Sequence, residues 1–178
     1  MRKVASDEEG LESAAAVLLS GGVAVIPTDT VYGLAAHPGF PGAVERLYTI
    51  KGRAQSKPIA LLASGFDAAS RFVGGIDGKA GELAKERWPG AFTLVVRGEG
   101  LRVPDHEWTR RLLAKCGGLL RVTSANLSGR RPATDAPAAL AEVGLSADIV
   151  VDDGTSPGGK PSEVVCVDEA GNVEVLRK

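Results

Sequence analysis

Apolar and polar positions along this chain follow two periods in turn, which predict strands and helices. Apolar runs bounded by Gly and Pro are typical of buried strands, and they occur at 22–26, 58–63, 92–96, 119–122 and 148–151. Helical patterns separate them at about 7–20, 42–50, 107–115 and 137–143, with one or two further helices between 63 and 88. Ser6 with Glu9 predicts a capping box for the first helix, which Gly21-Gly22 ends.

The chain closes on a pattern of a different kind. Residues 163–167 and 173–176 form two strand-like runs around Ala170-Gly171-Asn172, which predicts a hairpin. Alternating strands and helices followed by a hairpin predict an α/β fold, a single domain over 1–178 with a twisted mixed sheet flanked by helices.

The segment Pro27-Thr28-Asp29-Thr30-Val31-Tyr32-Gly33-Leu34 is the most informative in functional terms. It delivers small polar side chains at the end of the predicted strand 22–26, where α/β proteins usually bind ligands. Pro27 has no N–H for a sheet ladder and is expected to stop the strand. A hydroxyl-rich turn without function is the competing interpretation of this segment alone.

Charge is unevenly distributed, although the net charge is only −1. Residues 46–57 carry four basic side chains and no acidic one, and 102–131 carry seven against two. Two basic stretches beside small-residue loops suit a phosphate-bearing ligand. Lys51 and Arg53 could instead simply complement a helix dipole, and Ser124 and Asn126, which follow strand 119–122, could simply cap a turn.

Composition excludes several classes. No apolar run among the 178 residues reaches the roughly 18–20 needed to span a bilayer, and no signal-peptide pattern opens the chain, so we expect a cytoplasmic protein without a membrane partner. Cys116 and Cys166 are far apart and form no C-x-x-C motif, so we expect both to be reduced thiols. His37 and His106 are too scattered to indicate a zinc site, so we expect no metal held by the protein alone.

Two motif matches in the loop 152–161 fail on chemistry. Gly154 to Lys160 fits the start of a P-loop, but Pro161 stands where Mg²⁺ ligation needs Ser or Thr, and a strand-like run follows. Gly154–Gly158 also fits a nucleophile elbow, but Pro157 follows the serine and has no N–H for an oxyanion hole.

Taken together, the motifs resemble the YrdC/Sua5 family over nearly the whole chain. In chain order they are Pro27–Leu34, Lys51-x-Arg53, Trp88-Pro89-Gly90-x-x-Thr93, Arg102-x-Pro104-x-His106, Ser124-Ala125-Asn126-x-Ser128-Gly129 and Pro161-Ser162. The resemblance implies a YrdC-like domain with a large basic groove, of the short YrdC type. The implied activity is synthesis of threonylcarbamoyl-AMP and pyrophosphate from L-threonine, bicarbonate and ATP, for the N6-threonylcarbamoyladenosine modification of tRNA.

The resemblance also implies site residues. The family's basic and polar tetrad falls on Lys51, Arg53, Ser124 and Asn126. The implied ATP contacts are Arg53, Lys57, Ser124, Thr134 and Arg177. The implied threonine contacts are Thr30, Arg102 and Ser162, with Arg102 suited to grip a carboxylate bidentately. ATP is then a substrate that brings its own Mg²⁺, and tRNA and tRNA-modifying proteins are expected partners.

Three departures from the family pattern leave a YciO-like paralogue open. The segment 97–102 is about a dozen residues shorter than in many relatives, Glu163 stands where Thr is usual, and Leu62 replaces a His of some archaeal relatives. If Ser162 faces the groove, strand alternation predicts that Glu163 faces away from it. A non-catalytic RNA-binding module and a carbamoyl-transfer domain remain as alternative functions.

Overall fold

A computed structural model describes residues 1–178, and it contains the predicted strands and helices together with three further strands. The helices are α1 Glu8–Leu19, α2 Pro41–Lys51, α3 Phe66–Phe72, α4 Gly78–Arg87, α5 Glu107–Lys115 and α6 Ala136–Glu142. The strands are β1 Arg2–Ala5, β2 Val23–Ile26, β3 Gly33–Ala36, β4 Leu61–Ala63, β5 Phe92–Val96, β6 Glu99–Arg102, β7 Leu119–Ser124, β8 Ile149–Asp152, β9 Glu163–Val167 and β10 Val173–Arg177.

All ten strands join one mixed sheet in the order β1-β8-β2-β3-β7-β4-β6-β5-β9-β10. The pairs β1/β8, β2/β8, β4/β6 and β5/β9 are parallel, and the other five are antiparallel. The closing pair β9/β10 is the predicted hairpin. The predicted α/β fold with a mixed sheet and flanking helices is confirmed.

Helices cover both faces of the first half of the sheet. Val23 and Val25 of β2 join the cluster formed with α2 and α6, whereas Ala24 and Ile26 join the cluster formed with α1 and α5. A strand buried on both faces reads as a continuous apolar run, which explains why 22–26 shows no alternation.

The second half of the sheet is covered on one face only. Phe92, Leu94 and Val96 of β5 pack in a cluster with α3 and α4, whereas Thr93 and Val95 point to the other face and line a cavity. The α3–α4 layer supports the strands from behind, and the opposite face remains open to a ligand.

Several predicted boundaries were wrong. Asp7, not Ser6, caps α1, and its carboxylate accepts a hydrogen bond from Gly10 N at 2.8 Å. Strand β4 begins at Leu61 rather than at 58, beyond the proline that cannot donate to a ladder. Strands β1, β3 and β6 were not predicted. No helix is long and apolar enough to cross a membrane.

Candidate active site

The open face of the second half of the sheet forms a cavity of about 670 Å³. Its floor comes from β5, β6 and β9, and its rim comes from the Pro27–Leu34 segment, the loop after α2 and the end of β7. Strand alternation places Gly100 and Arg102 of β6, Val164 of β9, and Ser162 immediately before β9 on this floor. The polar loops that follow separate strands in the sequence therefore meet at one site.

The cavity is strongly cationic. Arg53, Lys57, Arg102 and Arg177 line it, and no Asp or Glu does. Burial, followed by the positive charges of Arg102 and Arg53, lowers the pKa of Arg177. Neighbouring cations that perturb one another in this way, in a cavity whose lining has no carboxylate, favour a polyanionic ligand.

Seven of the ten predicted site residues line the cavity. They are Thr30, Arg53, Lys57, Arg102, Ser124, Ser162 and Arg177. The structure therefore brings four of the five predicted ATP contacts and all three predicted threonine contacts into one continuous space, with Lys51, Asn126 and Thr134 outside its lining.

Arg102 is the most constrained of the cations, with only 5% of its surface exposed. Its Nε donates to Gly90 O at 2.9 Å, one terminal nitrogen donates to Thr30 Oγ1 at 2.9 Å, and the other donates to an Asp29 carboxylate oxygen at 2.5 Å. Sequence reasoning missed Asp29, which it treated as one polar residue of a turn. The signal available was its place between two hydroxyl residues that come directly after a buried strand.

The hydroxyls of the same segment are arranged by hydrogen bonds among themselves. Thr28 Oγ1 donates its one hydrogen to Val31 O at 2.7 Å, so in the 3.0 Å contact between Thr28 Oγ1 and Thr30 Oγ1 the hydrogen belongs to Thr30. This donation uses the only hydrogen of the Thr30 hydroxyl, and one of its two lone pairs accepts from Arg102, so one lone pair remains. Thr30 therefore offers the cavity an acceptor, suited to a ligand amine or hydroxyl.

Ser162 occupies the far side of the floor. Its hydroxyl lies 2.8 Å from Thr93 Oγ1, and Arg177 donates to Ser162 O from Nε at 3.0 Å and from a terminal nitrogen at 2.8 Å. Thr93 is a second site residue that sequence reasoning did not select. Its signal is a polar side chain on an otherwise apolar strand, on the face that its neighbours Phe92 and Leu94 avoid.

The prediction for Glu163 is confirmed. Ser162 and Val164 line the cavity, whereas the Glu163 carboxylate points away and accepts from Arg87 at 2.6 Å. Arg87 in turn lies over the Phe92 ring, 4.1 Å from its centroid. The unusual carboxylate therefore belongs to the packing behind the sheet and does not oppose anions in the cavity.

The expectation that Lys51 grips phosphates needs correction. Lys51 is 3% exposed, and its ammonium donates to Ser124 O, to Asn126 O at 2.5 Å and to Asn126 Oδ1 at 3.4 Å. Burial first, and the nearby Arg53 charge second, lower the pKa of Lys51 to about 8. All three of its donors are engaged, so Lys51 fixes the loop that carries Ser124 instead of facing the cavity.

Asn126 and Thr134 also differ from expectation. The Asn126 amide donates to Leu127 O and Arg130 O at 2.8 Å each, which uses the side chain to shape its own loop. Thr134 stands outside the cavity lining, and its carbonyl accepts from Ser156 N at 2.7 Å. Both residues hold loops around the site, and neither touches the cavity in this conformation.

The loop 152–161 packs on the Pro27–Leu34 segment. Tyr32 OH donates to Gly154 O at 2.8 Å and accepts from Asp153 N at 2.9 Å. The loop leads directly into β9, so no helix follows its P-loop-like residues, as the sequence indicated. Burial raises the pKa of Tyr32 to about 12, which keeps the phenol protonated as the donor of this contact.

The shortened segment 97–102 is a tight β5–β6 hairpin. Arg97 and Gly98 form its turn with φ of 51° and 80°, and the Arg97 guanidinium donates to Val73 O and Gly75 O on the far side of the sheet. At the turn end of this hairpin, residues 97–101, only Gly98 and Gly100 border the cavity, so that end supplies backbone and no side chain, whereas Arg102 at the end of β6 supplies its guanidinium. No cluster of three or more His, Cys, Asp or Glu side chains is placed to hold a metal ion.

Comparison with known proteins agrees with this geometry. The Sua5/YciO/YrdC family model, described as "Telomere recombination", matches residues 16–178. A Chromohalobacter salexigens protein named threonylcarbamoyl-AMP synthase is 32% identical, over 86% of this chain and 90% of its own length. The structure of P. abyssi Sua5 complexed with L-threonine has a TM-score of 0.85 at 27% identity, covering 99% of this chain and 56% of that chain. E. coli YciO shares the fold, with a TM-score of 0.84 at 23% identity, covering 99% and 94%.

Proposed function

The chain belongs to the Sua5/YciO/YrdC family, and from this premise we propose that it is a transferase that makes threonylcarbamoyl-AMP. Its substrates in this proposal are L-threonine, bicarbonate and ATP, and pyrophosphate is the second product. The name of the C. salexigens relative and the threonine complex of P. abyssi Sua5 support the substrate class. The chain spans about half, 56%, of the Sua5 chain, so activity of this shorter unit is part of the proposal.

The observation that carries the proposal is the acid-free cationic cavity. Arg53, Lys57 and Arg177 are suited to the triphosphate, because guanidinium and ammonium groups bind phosphate oxygens through charge-assisted hydrogen bonds. Ser124 belongs to the same lining. No carboxylate of the protein lines the cavity, so Mg²⁺ would enter on the phosphates of the nucleotide and be held by them.

The amino-acid end of the cavity is assigned to Arg102, Thr30 and Ser162. Arg102 keeps two N–H groups beyond the three it uses in the protein, enough for a carboxylate. Thr30 offers an acceptor to the amine or hydroxyl of threonine, and Ser162 offers a hydroxyl within the same space.

The chemistry needs no nucleophile from the protein. Bicarbonate carboxylates the threonine amine with loss of water, and a carbamate oxygen then attacks the α-phosphorus of ATP. The bond from that phosphorus to the bridging oxygen breaks, and pyrophosphate leaves. The chain contributes orientation and neutralisation of the phosphate charge, and orientation alone can supply about 7–11 kcal/mol. Its product would serve tRNA-modifying proteins and, through them, tRNA.

Pyrophosphate release from ATP tests the proposal. We expect release only when threonine and bicarbonate are both present, and at least about tenfold slower release for Arg53→Ala at subsaturating ATP, as the loss of a charge-assisted bond requires. Arg71→Ala removes an exposed arginine away from the cavity and serves as the matched control. Pyrophosphate release that does not depend on threonine, or no pyrophosphate release by folded protein, would contradict the proposal.

A further inference from the structure

The carboxylate of Asp29 is nearly buried, yet it does not line the cavity. Its side chain is 10% exposed and that of Arg102 is 6% exposed, and the two form the most enclosed ion pair in the protein. Arg102 and Thr30 face the cavity, so Asp29 lies behind the residue to which the amino-acid carboxylate is assigned. A carboxylate in this position is outside the cavity lining, and its side-chain contact is with Arg102.

The hydrogen bonds that Arg102 makes within the protein determine which of its N–H donors are left for a ligand. Three of its five N–H groups are used, one on each nitrogen, by Gly90 O, Thr30 and Asp29. One N–H therefore remains on each terminal nitrogen. A planar guanidinium with a free N–H on each terminal nitrogen has the donors that a carboxylate needs for one bond to each of its two oxygens.

Asp29 is itself fixed from outside. Its carbonyl accepts from Gly158 N at 3.1 Å, and a Cβ at Gly158 would lie 2.6 Å from that carbonyl oxygen and 3.0 Å from Thr30 Cα. The loop 152–161 can approach this closely only because position 158 has no side chain. The loop 152–161 therefore holds the Asp29 backbone in place through the hydrogen bond from Gly158 N.

Resting on the proposed function, we propose that Asp29 is a positioning residue for recognition of the substrate carboxylate. It holds the Arg102 guanidinium from behind, so that the two remaining N–H groups are presented as a fixed pair to the α-carboxylate of the amino acid. Specificity for a free amino acid over its amide then depends on a residue that never contacts either ligand.

Calorimetric titration of L-threonine, L-threoninamide and ATP into wild type and Asp29→Asn tests this assignment. Threoninamide keeps the amine and hydroxyl and lacks the carboxylate. We expect Asp29→Asn to lose about tenfold or more in threonine affinity, the loss of one charge-assisted contact, and to change threoninamide and ATP affinities less than about threefold. Asp105→Asn makes the same substitution in an exposed pair with Arg110 and should bind all three ligands as wild type does.

A second variant displaces the Asp29 backbone without changing any charge. Gly158→Ala places a methyl group against the Asp29 carbonyl and Thr30 Cα, so it should weaken threonine binding more than threoninamide binding and leave ATP binding unchanged, and it serves if Asp29→Asn does not fold. Equal losses for threonine, threoninamide and ATP would indicate general structural damage and overturn the inference, as would threonine affinity unchanged in both variants. No threonine binding by wild type that still binds ATP would instead refute the proposed function, and the inference with it.

Discussion

Lys51→Met should change how the stability of the protein depends on pH. In the wild type, the Lys51 amine is buried between the carbonyls of Ser124 and Asn126, and burial together with the Arg53 charge lowers its pKa from 10.5 to about 8. Methionine fills a similar volume and cannot titrate. The difference in unfolding free energy between wild type and variant therefore isolates the protonation of one side chain.

The sign follows from the two proton affinities. Below pH 8 the amine is protonated in both the folded and unfolded states, so the difference is constant. Between about pH 8 and 10.5 the unfolded chain binds the proton and the folded chain has lost it, so wild-type stability rises relative to the variant. The shift corresponds to roughly 3 kcal/mol at most, at about 1.4 kcal/mol per unit. The neutral amine still has two hydrogens for the backbone carbonyls of Ser124 and Asn126, so deprotonation costs only the longer bond to Asn126 Oδ1.

Urea denaturation of both proteins at intervals from pH 7.5 to 10.5 measures this difference. Other groups that titrate in this range, Tyr32 and Cys116 among them, are present in both chains and cancel in the subtraction. We expect the curves to diverge above about pH 8, with the wild type gaining. Parallel curves would show that Lys51 keeps a normal pKa, and a variant that gains relative to the wild type would reverse the sign and refute the reasoning.

Three further predictions concern ligands. Arg53→Ala should weaken ATP binding by about 1.5–3 kcal/mol in calorimetry, whereas Arg71→Ala should not. Glu163→Thr should leave kcat/KM within about threefold, because the carboxylate bonds to Arg87 behind the sheet, and a tenfold gain would show that its charge reaches the cavity. L-Valine, which lacks the hydroxyl of threonine, should be a poor substrate in pyrophosphate release, and equal turnover of the two would contradict a polar side-chain pocket.

The strands that could be predicted are those whose burial is visible in composition. Val23–Ile26 and Phe92–Val96 are rich in β-branched and aromatic residues, and both match the structure within one residue. Strands β1, β3 and β6 contain Arg, Lys, Glu, Gly and Ala, which have low strand propensity. They are strands because their neighbours in the sheet pair with them, and such long-range pairing leaves no local signal.

The site residues show the same contrast: the sequence reveals the type of a residue, but its surroundings in the fold are set by long-range contacts. The sequence pointed to Arg102 and Ser162 only through its resemblance to the family, and both residues line the cavity. It gave Lys51 the wrong position, because a basic residue at a helix end looks the same whether it faces solvent or two buried carbonyls. Asp29 was missed for a related reason, since its partner Arg102 is distant in the chain and comes near only when β6 takes its place in the sheet.

The cavity is cationic because its anionic counterparts have been placed elsewhere. Glu163 is turned behind the sheet and Asp29 lies behind Arg102, so neither carboxylate lines the space that Arg53, Lys57, Arg102 and Arg177 share. The repulsion among these cations is visible in the lowered pKa of Arg177, to which Arg102 and Arg53 both contribute after burial. A polyanion entering the cavity relieves repulsion that the free protein already carries. Part of its binding energy therefore comes from how the sheet distributes its own charges, in addition to the contacts the ligand makes.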